Sequence, residues 1–391
     1  MPPTDPLARL LAGGDGILED LKAFVELESP SDDKARTDHF GDFLTDFVRG
    51  RIRGRMEVLE QPRFGNHIRL EMGPQNGERP ILLLGHFDTV WPVGTLENMP
   101  FRVEGPFAYG PGSLDMKAGL VLGIHALAAL QEADLLRVPV VFLFTSDEER
   151  GSLTSRPLIE AEASAAQAVL VLEPAAGGAL KTARKGIGIF RVEVGGLAAH
   201  AGSNPELGVS AIEEMARLIL DLHGLNDPTT GTTVNVGVVN GGTRPNVTAA
   251  AASAEVDLRV TNLAEAQRLE ETILGLRAHN PKTRVTVTGG INRPPMERTA
   301  GVAALFEMAK GVARGLGFEL GEASVGGASD ANFVTPLGVA VIDGLGAVGD
   351  GAHATTEHVE IASLPIRASL IAGLIRELQS TDGVGSKATS P

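Results

Sequence analysis

The stretch "ILLLGHFDTV", Ile81–Val90, decides how the chain is read. Its aliphatic opening suits a strand buried on both faces, as in a parallel sheet covered by helices. The run ends on His86 and Asp88, two side chains able to bind metal. Ligands in open α/β sheets bind beyond the carboxyl ends of the strands. The residues at the ends of the other apolar runs therefore decide whether this pair is a hydrogen-bonded strand end or part of a site.

Other strand ends carry the same kind of cargo. Asp147, Glu148 and Glu149 follow "VVFLFTS", Glu173 follows "AVLVL", and His353 follows "VAVIDGLGAVGDGA". Asp115, in "PGSLDMKAG", opens the helix after the first of these strands. Taken singly, each has a plain reading as a helix cap, a solvated acidic turn or a hydrogen-bonded histidine. Together they place several carboxylates at one sheet edge, where acids outnumber the basic residues of the same motifs. Like charges so placed repel unless a cation neutralises them. Two divalent ions would do so, and imidazole with carboxylate suits Zn²⁺ first, with Mn²⁺ or Co²⁺ as alternatives. Asp88, two residues beyond His86 on an extended chain, is expected to fix that histidine's tautomer.

Composition agrees. The 391 residues are 43% hydrophobic and carry a net charge of -15, which argues against nucleic acid or an anionic membrane as partner. There is no cysteine, so thiolate ligands, disulfides and cysteine nucleophiles are excluded. No basic-then-apolar leader opens the sequence and no long uninterrupted apolar run occurs, so a cytoplasmic protein that does not enter a membrane is expected. The 48 glycines exceed the roughly 27 of average usage and suit an enzyme with many tight loops.

Strands alternate with helices up to about residue 185, which is α/β grammar. The pattern then changes. "GIGIFRVEVGG", "TTVNVGVVNGG", "NVTAAAASAEVDLRV" and "TRVTVTGG" read as half-solvated strands, with helices over "NPELGVSAIEEMARLILDLHGL" and "NLAEAQRLEETILGLRAHN". The order β-α-β-β-α-β is ferredoxin-like. Residues 186–290 are therefore expected to form a small α+β domain inserted into a larger one made of 1–185 and 291–380, with 381–391 a disordered tail.

"GHFDTVWP", "GSLDMKAG", "TSDEERGS", "LEP" and "GAHATTEHVEI" resemble, in order and spacing, the metal-site motifs of the co-catalytic zinc exopeptidases of clan MH. That family includes glutamate carboxypeptidase, aminoacylase, acetylornithine deacetylase and succinyl-diaminopimelate desuccinylase. "NPELGVSA" and "GGASDANF" bring the wording nearest to bacterial glutamate carboxypeptidase, which has Asp where Glu173 stands; deacylating relatives have Glu. The resemblance implies a catalytic domain with a mixed central sheet, an inserted lid and dimerisation domain, and a homodimer. It implies two zinc ions bridged by Asp115, with His86 and Glu173 on one and Glu149 and His353 on the other. Glu148 is implied as general base, and the Asp115–Met116 peptide as cis. His200 is implied to reach a neighbouring subunit's active site and stabilise the oxyanion. Asn246 and Arg259 are implied to hold the carboxylate of a small peptide or N-acyl amino acid. Ser329 and Asp330 fall in a loop near the substrate pocket. The expected activity is release of a C-terminal amino acid, glutamate first, with an aminoacylase-like deacylase or a dipeptidase as the alternative. A catalytically inert metal-stabilised binding protein is disfavoured by Glu148, and a nucleotide-binding protein by the lack of a phosphate-loop motif.

Overall fold

Ile81–His86 is buried along its whole length and lies inside a six-stranded sheet. Across that sheet the order is Arg55–Leu59, His67–Met72, Val140–Thr145, Ile81–His86, Ala168–Val171, Val341–Ile342. The last four run parallel, and the first two add antiparallel at one edge. The sheet is therefore mixed. Its parallel strands are continuous apolar runs because helices cover both faces. The carboxyl ends of Ile81–His86, Val140–Thr145 and Ala168–Val171 all point to the same edge, which is what gathers the acidic segments.

The computed structural model describes residues 5–380; the tail expected at 381–391 lies outside them. The described chain divides into two compact units. The first holds the six-stranded sheet and comprises the residues up to Ala183, Arg298–Val325 and the segment from Ser329 onward. Its helix Ala118–Glu132 is apolar on every side and packs against Ser363–Leu378 within the main core. The stretch Ser113–Glu132 is long and apolar enough to cross a bilayer by length and composition alone, but 78% of its most apolar 18-residue window is buried inside the fold. A helix apolar all round is what a two-sided core requires. Gly119 near its start has no alternative: an added Cβ would fall 2.0 Å from the carbonyl oxygen of Leu172, the residue before Glu173.

The second unit is Arg184–Glu297 with Gly326–Ala328. Its antiparallel sheet runs Thr233–Gly241, Ala251–Val260, Gly186–Gly195, Arg284–Arg293, with helices Ala211–His223 and Leu263–Leu274. In chain order that is 2-3-1-4, the ferredoxin-like arrangement. Gly186–Gly195 alternates buried and more open residues, with Phe190, Val192 and Val194 against the helices. The expected boundary at 290 falls short because the last strand continues through Gly289 and Gly290 to Arg293. Neither glycine ends the strand: a Cβ on Gly289 would meet the backbone of Ile189 and Phe190 in the adjacent strand, and one on Gly290 would meet the carboxylate of Glu270.

Candidate metal centre

The first unit brings five of the acids and histidines together as two groups that share Asp115: His86, Asp115 and Glu173, and Asp115, Glu149 and His353. Nε2 of His86 lies 3.3 Å from Oδ1 of Asp115 and 3.5 Å from Oε1 of Glu173. Nε2 of His353 lies 3.3 Å from Oδ2 of Asp115 and 3.2 Å from Oε1 of Glu149. Each oxygen of Asp115 thus faces a different imidazole. A carboxylate presented this way can bridge two cations.

Local structure leaves Asp115 available for that work. Its backbone is not helical and the regular helix begins at Ala118, so the capping role open to it from sequence is not taken. Oδ1 is buried and accepts no well-aligned hydrogen bond among the described residues, with Nε2 of His86 3.3 Å away. The peptide to Met116 is cis. Nor is Glu149 in a solvated turn, since its side chain is 8% exposed. His353 stands on a loop at φ 63 and is half exposed.

Charge explains the need for a counter-ion. Two carboxylates about 5 Å apart repel by roughly 3 kcal/mol at an effective dielectric of about 20. Lys117, the cation of the Asp115 motif, is buried with Nζ donating to the Leu27 carbonyl. Burial opposes a charge on His86, yet Asp115, Asp88 and Glu173 outweigh it and hold its pKa well above the ordinary value. Asp115 and Glu149 raise that of His353 to about 10. Asp115 is shifted far down against its own burial by the two histidines, whereas burial lifts Glu149. Both imidazoles therefore carry protons that a divalent cation would replace. Three oxygen and nitrogen donors per group, with no sulfur, fit Zn²⁺, Mn²⁺ or Co²⁺.

Asp88 has a different task from the one its spacing suggests. Nδ1 of His86 bonds to the backbone carbonyl of Asp88 at 3.0 Å, while the Asp88 carboxylate stands at 3.4 Å. That carboxylate instead accepts from the Ser31 hydroxyl at 2.7 Å and from the backbone N–H groups of Glu148 and Glu149, each at 3.2 Å. The carbonyl sets the tautomer and the carboxylate holds the Glu148–Arg150 turn. Glu148 itself belongs to neither group of donors. In a turn of three residues, neighbouring side chains diverge by about 120°, so Glu148 and Glu149 leave the backbone in different directions. Asp330 braces the same segment by accepting from the hydroxyls of Ser152 and Thr145, and Ser329 caps its own turn and donates to Asp343 at 2.7 Å.

The second unit separates residues that the family pattern groups. Nδ1 of His200 accepts from the N–H groups of Gly202 and Ser203, both at 3.1 Å, which leaves Nε2–H of the neutral ring as a donor. The Asn246 carbonyl accepts from Ala201 N–H at 3.0 Å, so these two residues are neighbours. Arg259 sits at the far end of Ala251–Val260, opposite Ile187 and Thr233. Eight residues of strand at about 3.3 Å each put it roughly 26 Å from Ala251, the end where the Asn246 loop enters. The strand thus sets Arg259 away from the end at which the Asn246 loop enters. The Arg259 fork is held by Asp257 at 2.8 and 2.9 Å.

One residue escaped the sequence reading. Glu357, buried close to His353, accepts from Trp91 and from the N–H groups of Gly112, Leu114 and Asp115. Its position four residues after His353 was the only available hint.

The profile of peptidase family M20/M25/M40 matches residues 82–377. The chain belongs to this family. It is 35% identical over 311 residues to carboxypeptidase G2 of Pseudomonas sp. (strain RS-16), covering 77% of this chain and 74% of that protein. It is 26% identical to acetylornithine deacetylase of Myxococcus xanthus, over 82% of this chain and 88% of the relative. Its fold matches that of a dinuclear metal-binding M20 peptidase from Bacillus subtilis with a TM-score of 0.69 at 15% identity, covering 95% of this chain and 99% of that one. As an M20 chain the protein is a metallopeptidase-class amidohydrolase.

Proposed function

We propose that this M20 enzyme is a dinuclear zinc hydrolase that releases a C-terminal amino acid, glutamate foremost, from a small peptide or N-acyl amino acid. The observation that carries the reading is Asp115, with one oxygen toward His86 and the other toward His353. His86, Asp115 and Glu173 would hold one ion, and Asp115, Glu149 and His353 the other. When bound, such a pair supplies an acidified water and polarises the scissile carbonyl. Glu148 takes a proton as the water oxygen bonds to the carbonyl carbon, and returns it to the amide nitrogen as the C–N bond breaks. A free carboxylic acid and a free amino acid result. Asp88 keeps the Glu148–Glu149 turn in place. His200, as the Nε2–H tautomer, donates to the developing oxyanion.

Arg259 receives the substrate carboxylate through its planar fork. Its separation from Asn246 along the strand supports a homodimer, in which His200 and Asn246 of one copy serve a site with Arg259 of the other. A cytoplasmic setting belongs to the same proposal and is tested by cell fractionation. Similarity to carboxypeptidase G2 supports the carboxypeptidase reading. Glu173 and the similarity to a deacetylase favour the second reading, an N-acyl-amino-acid deacylase. The test is amino-acid release by the zinc-loaded protein from peptidyl and N-acyl amides differing in the C-terminal residue, with Glu148→Ala as the blank. Glutamate released well above other residues supports the first reading. A preference for short N-acyl groups whatever the amino acid transfers the protein to the deacylases.

A further inference from the structure

Glu357 is fully buried, as costly a position as a carboxylate can occupy unless its oxygens are satisfied. All four of its partners are donors. Oε2 accepts from Trp91 Nε1 at 2.8 Å and from Gly112 N–H at 2.9 Å. Oε1 accepts from Leu114 N–H at 2.9 Å and Asp115 N–H at 3.0 Å. A carboxylate is the one side chain of this length that offers only acceptors.

The partners do not come from one place. Trp91 follows His86 by five residues, and Gly112, Leu114 and Asp115 form the loop of the bridging carboxylate. Glu357 itself is tied to the His353 turn, its N–H donating to the Ala354 carbonyl at 2.9 Å and Ala354 N–H to Gly351 at 2.8 Å. The next residues, His358–Glu360, pair with Phe107–Tyr109, the strand that leads into the Asp115 loop. Three ligand-bearing segments therefore converge on one carboxylate that offers no atom to a metal group.

We propose that Glu357 is a positioning residue for the metal centre: it locks the Asp115 loop to the His86 and His353 segments, so that each Asp115 oxygen faces its own site. The inference rests on the reading of those donor groups as a metal centre. Gln at 357 keeps the shape but turns an NH₂ group toward N–H donors, which the Asp115 loop can relieve only by moving. Partners of this kind that orient ligands typically change metal affinity 10- to 100-fold when lost.

The experiment compares wild type, Glu357→Gln and Glu214→Gln. Glu214 is likewise buried and accepts from the N–H groups of His279 and Asn280, but in the other unit. Zn²⁺ affinity is read by competition with a chelator, and site geometry by the visible spectrum of the Co²⁺-loaded protein. Trp91, the sole tryptophan, adds its own emission as a report on the Glu357 contact. Glu357→Gln should lower Zn²⁺ affinity at least tenfold, alter the Co²⁺ bands and shift Trp91 emission. Glu214→Gln should cost stability while leaving affinity and spectrum as in wild type. Wild-type affinity and spectrum in Glu357→Gln overturn the proposal, even if that variant is less stable. A wild-type protein that takes up no Zn²⁺ or Co²⁺ overturns the metal-centre reading itself. If Glu357→Gln does not fold, Trp91→Phe removes one of the four donors: a several-fold loss of Co²⁺ affinity supports the proposal, and an unchanged affinity overturns it.

Discussion

Metal uptake should release protons, in a number set by the geometry. In the metal-free protein the carboxylates facing His86 hold its pKa well above the ordinary value against its burial, and Asp115 and Glu149 raise that of His353 to about 10. Both rings are therefore protonated at neutral pH, and an imidazole must surrender its Nε2 proton to become a ligand. Filling both donor groups near pH 7 should displace about two protons, one per histidine. The apparent log affinity should climb by about one unit per pH unit for each proton displaced. His353 is half exposed, so solvent screening trims its shift. The stability of the metal-free fold varies with pH in a definite sense. A raised histidine pKa contributes fully below the unfolded value near 6.5, and the contribution is lost as pH rises through about 10. Chelator-treated protein should lose thermal stability across that window relative to metal-loaded protein. Titration calorimetry in buffers of differing ionisation enthalpy counts the protons, and scanning calorimetry tracks the stability. Uptake of two ions near pH 7 with no proton release would refute the reasoning, because the carboxylates would then not be holding the imidazoles charged.

Further outcomes are expected from single substitutions. Glu148→Ala should keep both metal equivalents by elemental analysis and lose turnover by about 10²- to 10⁴-fold, the usual contribution of a general base; a wild-type rate would remove Glu148 from that role. Arg259→Ala should raise KM for substrates bearing a free carboxylate and leave ester-blocked analogues unaffected. Gly119→Ala should destabilise the first unit by about 1–3 kcal/mol or more in urea unfolding, because the added carbon meets the Leu172 backbone, which cannot step aside. His200→Ala should lower kcat by roughly 10²-fold if the ring donates to the oxyanion, and dilution below the dimer dissociation constant should have the same effect.

Much of the fold and of the candidate site is legible in the chain order because the signals are local. Strands buried on both faces are unbroken apolar runs, and the half-solvated strands of the second unit alternate, so the change of period near residue 186 marks the insertion. Ligand-type residues sit immediately after strands, where the parallel sheet delivers them to one edge. Their chemical identity as imidazole and carboxylate is likewise readable without coordinates. The boundary at 290 misled because glycines that end a strand and glycines that admit a close neighbour look alike in one dimension.

Tertiary structure alone decided the rest. Which oxygen of Asp115 faces which histidine depends on bringing together segments up to 267 residues apart, counted from His86 to His353. No short-range pattern encodes that. The role of Asp88 changed because a carbonyl and a carboxylate on the same residue compete for one Nδ1, and only distance decides between them. The placement of Arg259 at the far end of its strand from the Asn246 loop follows from strand length and register. Glu357 was invisible for the same reason: a buried acid is tolerable only with donors around it, and three of its four donors are backbone N–H groups, which every residue but proline has and no sequence displays.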